Sequence, residues 1–199
     1  MNPEDILIRS LEINYLHFKF VGVAGIRDIK PFDINILLKK ITRLGNEKNI
    51  TIQVFDSELL ATWEHLLFSA HHAVKAFLNS FNISKSLAIE SLIYASGQRQ
   101  IKLAVKILGL KPLTENCALL IIGTSQEEIK SIAEAVCREL GGIFDLNVLD
   151  IDKSKFYRIK KTFDISDIEL EALTSKYTWE ERKAVLVKLI LERLTYQHF

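Results

Sequence analysis

Apolar residues recur along the chain with two different periods, and the alternation between them separates strands from helices. Ile6–Leu11 reads as a short first strand, and Tyr15–Val23, which alternates and is rich in β-branched and aromatic residues, as a second. Gly22, Gly25, Asp28 and Pro31 mark a loop, with glycine supplying the positive φ of a turn. Asp33 is placed to cap a helix with apolar positions Ile34, Leu37, Leu38, Ile41 and Leu44, and Gly45 ends it. Ile50–Phe55 is another strand. Asp56 or Ser57 then opens what the pattern makes the longest helix, Glu58–Asn79, whose stripe of Leu59, Trp63, Leu66, Ala70, Ala73 and Phe77 suits one face on a core.

A helical pair follows. Its first member is Ser86–Ser96; Gly97 interrupts, and the second runs from about Gln98 to Leu108, closed by Gly109 and Pro112. Cys117–Ile122 is a buried-type strand. Ser125 to Glu128 forms a capping box, in which a hydroxyl and a carboxylate satisfy each other's free amides, and the helix it opens stops at Gly141-Gly142. Ile143–Leu149 is a weaker strand. The remainder is helical, with a basic run Lys153–Lys161, capping boxes at Ser166–Glu169 and Thr178–Glu181, and a last helix carrying Trp179, Val185, Leu186, Leu189, Ile190 and Leu194 on one side. This order predicts an α/β (α+β) fold: a single sheet of about four to five strands packed with helices, and a helical C-terminal segment, all in one domain over residues 1–199.

Composition narrows the picture mainly by exclusion. The 199 residues are 48% apolar and 26% charged, with three prolines and eight glycines, so no linker or low-complexity stretch is expected. The start of the chain is not a secretory signal, and no apolar run could span a bilayer, so the expected location is cytoplasmic, with no membrane partner. Cys117 and Cys137 read as small buried side chains rather than a disulfide.

The usual signatures of chemistry are missing. Gly22-Val23-Ala24-Gly25 lacks the lysine and Ser/Thr of a P-loop, and no G-x-G-x-x-G follows a strand. His65, His71 and His72 read as ordinary surface or partly buried histidines. His65 and His72, about 10 Å apart along a helix axis, cannot share a metal. Asp145, Asp150 and Asp152 read as loop residues rather than a metal site, and no G-x-S-x-G elbow occurs. No cofactor, metal or small-molecule substrate is therefore expected, and no catalytic residue is assigned.

Local charge is more informative than the net charge of +1. From His71 to Lys111 there are six Lys/Arg (Lys75, Lys85, Arg99, Lys102, Lys106 and Lys111) against the single acid Glu90. In the second helix of the pair, Ile101, Ala104, Val105 and Leu108 form the expected buried stripe, while Arg99, Lys102 and Lys106 step along another face. A cationic line beside Gln98 and Gln100 at a helix start suits phosphate and base contacts, and Tyr94 and Phe81 are near enough in sequence to stack. A solvated basic face fits the same spacing, and the run Lys153–Lys161 admits both readings too.

Residues 83–101, reading ISKSLAIESLIYASGQRQI, resemble the signature of the kinase-binding subunit family of the KEOPS complex, the PRPK-binding (TPRKB-like) proteins. The likeness extends to His72–Phe77 upstream and to residues 101–110 and 118–123 downstream, with weaker echoes at Phe163–Ala172 and Leu191–Leu194. The Arg99-Gln100-Ile101 form is closer to archaeal members. The resemblance implies a non-catalytic subunit that binds the complex's atypical kinase/ATPase. It also implies help in recruiting tRNA, through its 3′ CCA end, for threonylcarbamoyladenosine formation. On that reading the RNA contacts are Lys85, Tyr94, Gln98, Arg99, Gln100 and Lys102, and Leu103 or Leu110 is a candidate for the kinase side. A structural adaptor without RNA contact and a small-molecule enzyme are the alternatives; the enzyme would require a pocket with convergent polar groups and shifted pKa values.

Overall fold

A computed structural model describes residues 5–15, 18–176 and 178–196. The strands are β1 (Ile6–Tyr15), β2 (Phe18–Arg27), β3 (Thr51–Asp56), β4 (Cys117–Gly123) and β5 (Ile143–Phe144). The helices are α1 (Ile34–Lys48), α2 (Trp63–Leu78), α3 (Leu87–Ser96), α4 (Ile101–Leu108), α5 (Gln126–Leu140), α6 (Lys153–Thr162), α7 (Asp167–Leu173) and α8 (Trp179–Tyr196). The fold is α+β, with one sheet in the order β1-β2-β4-β3, in which every pairing is antiparallel, and a helical C-terminal segment. The short β5 joins β2 at Ile26 and Arg27, beyond the end of β1.

The registers Val23 opposite Leu120 and Leu119 opposite Val54 divide the apolar side chains between two faces. Val21, Val23, Phe55, Leu120 and Ile122 pack with α2, α3 and α4. Ala24, Ile26, Val54, Leu119 and Ile121 pack with α1 and α5. Central β4 is therefore covered on both sides, and all seven of its residues are buried. That explains why its sequence is a continuous apolar run and not an alternation. A third cluster, built from Phe156, Ile159, Leu170, Leu186, Ile190 and Leu194, ties α6, α7 and α8 together and to Ala61 and Phe68. Cys117 and Cys137 are free and buried, and burial pushes both thiols up.

Several boundaries differ from the sequence reading, each for a tertiary reason. The first strand continues from Leu11 to Tyr15, with a register irregularity between Ser10 and Tyr15. The second starts at Phe18 and runs on through Gly22 and Gly25, which are not turn residues. A Cβ on Gly22 would stand 2.3 Å from Ile129 Cγ2, and one on Gly25 2.2 Å from the Asp145 carbonyl oxygen. These glycines let α5 and the Asp145 turn approach the sheet. Gly45 lies inside α1, which continues to Lys48 and ends on Asn49 in the left-handed region.

The expected helix from Glu58 is split. Ser57–Leu59 is one 3₁₀ turn capped by Asp56, Leu60–Thr62 is extended, and α2 starts at Trp63. Among the described residues α8, not α2, is the longest helix. Only Ile143–Phe144 of the weak strand pairs; Leu146–Leu149 is 3₁₀. Ser166 and Glu169 make the full capping box. Ser125 and Thr178 accept from the third amide of their helices, and Glu128 instead takes the Thr124 hydroxyl.

Gly25→Ala should lower the unfolding free energy by about 2 kcal/mol or more, because its obstacle is backbone rather than a flexible side chain. Urea titration monitored by circular dichroism checks this, and a neutral result would contradict the close packing of the Asp145 turn on β2.

Candidate functional site: a cationic recess between helices α2 and α3

The recess begins with the way two helices are locked side by side. His65 on α2 is fully buried, which overturns its reading as a surface or partly buried residue. Its Nδ1 accepts from the Ala61 amide at 3.2 Å, so Nε2 carries the proton donated to the Ala95 carbonyl of α3 at 2.7 Å. Burial drives the imidazole pKa down to about 4, with a hydrogen bond to Ala95 opposing and nearby Lys155 adding to the effect. The ring is therefore neutral and serves as a two-ended strut.

Two turns further along α2, His72 is half-buried beside Phe68, with ring centroids 4.1 Å apart, and beside Tyr94 of α3, at 5.7 Å and 34°. Desolvation, then His71 and Lys75, hold His72 at about 4 as well. His72 and Tyr94 line a recess of about 370 Å³ together with Lys75, Phe81, Ile83, Glu90 and Arg99.

The loop that closes one side is fixed by Glu90, which is buried on α3. Its carboxylate accepts from the Ile83 amide at 3.1 Å and from the Ser84 amide at 2.7 Å. Burial raises the Glu90 pKa against those two bonds. Phe81, held at the lip by this loop, is 80% exposed. On the other side, Gly97 takes the left-handed conformation that ends α3 and turns the chain outward at Gln98–Gln100.

The six expected RNA contacts separate into two groups. Tyr94 and Arg99 line the recess, but Tyr94 is a core residue, only 9% exposed, which speaks against its expected role of stacking on RNA; Gln98, half-buried, and Gln100, exposed, flank Arg99 in the turn, and Lys102 is exposed in the first turn of α4. Arg99 is exposed and has no carboxylate partner among the described residues. Lys85 is exposed just before α3 and is not among the residues that line the recess. The helix after the turn starts at Ile101, not Gln98, and Gln100 caps it without a side-chain bond. Its expected buried stripe is only half right: Ala104 and Leu108 are buried, but Ile101 and Val105 are 41% and 43% exposed.

His72, Ile83 and Glu90 were missed as site residues. The sequence does hold a signal for His72, since it falls within the same face of α2 as Lys75, but no spacing rule brings it to Tyr94 on another helix. The rival basic run is largely engaged within the protein. Lys155 is buried and donates to the Val148 carbonyl at 2.8 Å, Arg158 pairs with Glu58 at 2.6 Å, and Lys160 pairs with Asp167. Asp145 and Asp152 cap helical turns, and no group of metal-ligating side chains occurs among the described residues. No helix among them is long and apolar enough to cross a membrane.

Comparison with known proteins adds two findings. The family model described as kinase binding protein CGI-121 matches residues 33–197. The regulatory protein Cgi121 of Methanocaldococcus jannaschii is 33% identical over 140 residues, covering 70% of this chain and 83% of that protein.

His65 links the site to pH. Its folded pKa lies below the unfolded 6.5, so protons bind the unfolded chain first and stability falls as pH drops from about 6.5 towards 4. The strut should account for up to about 3 kcal/mol of that loss. Urea midpoints measured from pH 7 to 4.5 should fall more steeply for the wild type than for His65→Gln; parallel profiles would refute the neutral strut.

Proposed function

The chain belongs to the CGI-121 family of kinase-binding proteins, and from that membership we propose that it is a non-catalytic regulatory subunit that holds a kinase on one surface and a tRNA end on another. The kinase would be the atypical kinase/ATPase of the KEOPS complex. The RNA would be the 3′ CCA end of a tRNA destined for threonylcarbamoyladenosine formation.

The observation that carries the RNA reading is the state of Arg99. It stands exposed on a turn, free of carboxylates among the described residues, beside Lys75 and the Tyr94–His72 ring pair. Single-stranded RNA ends need cations for the backbone and aromatic faces for unstacked bases; this edge offers the cations and, at its lip, the exposed ring of Phe81, while Tyr94 is buried behind it. Gln98, Gln100 and Lys102 extend the surface along the turn and into α4.

For the kinase side, α4 carries more apolar surface than its two buried positions require. Ile101 and Val105 stand one turn apart on one flank, Leu103 on the other is 40% exposed, and Leu113 in the following loop is 90% exposed. Leu110, the other candidate, packs into the core on the α1/α5 side of the sheet and is unsuited to docking. An apolar ridge rimmed by Lys102 and Lys106 has the composition of a protein interface.

Two experiments separate the surfaces. Filter binding with tRNA carrying or lacking its CCA end should show preference for the intact end. Arg99→Glu should weaken binding about tenfold or more and make the salt dependence shallower by about one ion. Equal binding of both tRNAs would defeat the end-recognition reading and leave a kinase adaptor. In co-purification with the kinase subunit, Val105→Glu should lose at least about tenfold in affinity while keeping RNA binding; retention of the kinase would move its surface away from α4.

A further inference from the structure

Between α4 and β4 the chain makes a tight turn whose tip faces solvent while a buried carboxylate grips both of its ends. We propose that Leu113 at this tip is a preformed anchor for an apolar pocket with an acidic rim on the kinase, and that Asp56 is the positioning residue that holds it out. The choice of partner rests on the kinase reading above; the clamp does not.

The clamp is a closed set of hydrogen bonds. The Thr114 amide donates to the Lys111 carbonyl at 3.0 Å, which makes a β-turn with Pro112 in the second position, where proline is favoured. The Lys111 amide donates in return to the Thr114 hydroxyl at 2.9 Å. That hydroxyl donates to Asp56 Oδ2 at 2.9 Å, and the Lys111 ammonium meets the same oxygen at 3.1 Å. Asp56 closes β3 and is only 4% exposed, and its Oδ1 takes the Glu58 amide at 3.0 Å. Just beyond the turn, the Asn116 carbonyl accepts from both the amide and the hydroxyl of Ser57. A turn that merely joined a helix to a strand could move freely at the surface. This one is fastened to the end of the sheet.

What the clamp displays is apolar. Turns favour Asn, Asp, Ser or Gly, yet the tip is Leu113, with 90% of its surface in solvent. Held on a fixed turn, the side chain gives up little conformational freedom on entering a pocket, so most of its burial goes into affinity. The turn follows α4 in the chain and adds to the apolar surface of Ile101, Leu103 and Val105. Charge selects the rim of the pocket. Lys102 and Lys106 are exposed and meet no carboxylate among the described residues, and Lys111 is half-exposed above Asp56. Glu115 is the single acid between residues 101 and 116. A partner surface that complements this segment carries carboxylates around an apolar floor.

The test measures the affinity of the full chain for the kinase subunit by titration calorimetry, and amide hydrogen exchange at Lys111 and Thr114 in the free chain. Leu113→Ala should weaken kinase binding about tenfold and leave the exchange unchanged. Asp56→Asn should weaken it about threefold and speed the exchange of both amides. Thr114→Val, which removes the shared hydroxyl at nearly the same shape, should do likewise and stands in if Asp56→Asn fails to fold. In the Leu113→Ala background neither clamp variant should weaken binding further, because no anchor is left to position. Additive losses there overturn the positioning role of Asp56. Ile168→Ala on α7, which removes another strongly exposed apolar side chain, should bind the kinase as the wild type does; an equal loss overturns the site. Wild-type affinity in Leu113→Ala, with the kinase lost in Val105→Glu, overturns the anchor and leaves the kinase on α4. Wild-type affinity in both overturns the anchor and the kinase reading of α4 together.

Discussion

The site depends on a neutral imidazole fixed between two helices. His65 can accept from Ala61 and donate to Ala95 only as one tautomer, and only while uncharged. The bond to Ala95 ties α2 to α3, and the bond from Ala61, just before α2, fixes the tautomer and orientation of the ring that makes it. Because His72 and Tyr94 ride on the same two helices, that tie bears on how their rings meet. The small buried residues of both helices, among them Ala70, Ala73, Ser91 and Ala95, permit close approach; the imidazole bridges the two. Truncating either partner would leave a buried polar group without its bond, which costs more than the bond itself contributes.

Around that strut the sheet supplies rigidity and the loops supply the interface. β4 is buried on both faces, so helices above and below it are held by one apolar strand. What lies outside those layers is what can meet partners: the lip loop at 78–84, the turn at 97–100 and the exposed flanks of α4. The lip is a loop with a buried anchor. Glu90 gathers two consecutive amides and so orders a segment that ends in an exposed phenylalanine. An exposed aromatic on an ordered loop loses little conformational freedom on binding, which suits it to recognition.

Charge shows how little a residue's identity settles without its neighbours. The run Lys153–Lys161, with five cations in nine residues, is more basic in sequence than the scattered set Lys75, Arg99 and Lys102. The first is mostly engaged: Lys155 on a carbonyl, Arg158 on Glu58 and Lys160 on Asp167. The second faces solvent without carboxylates among the described residues. Unpaired cations offer a phosphate the larger gain, since engaged ones must first give up a partner. The difference lies in which acids the fold brings near, and Glu58 is a hundred positions from Arg158.

The sequence by itself determined the order of the elements, the two-faced character of the sheet, most helix caps and the basic bias around Arg99. These follow from periodicity and from side-chain-to-backbone bonds within a few residues, which any local window contains. Tertiary structure decided the rest. Gly22 and Gly25 look like turn residues until Ile129 and the Asp145 carbonyl are seen to need their missing side chains. The Glu58–Asn79 pattern looks continuous until Leu60 and Ala61 are drawn into the core and His65 takes the Ala61 amide. Tyr94, Arg99 and Glu90 share one short segment, whereas His72 reaches them only through the packing of α2 on α3. A recess is made of surfaces that face each other across space, and residues brought together by the packing of helices leave no period in the chain to read.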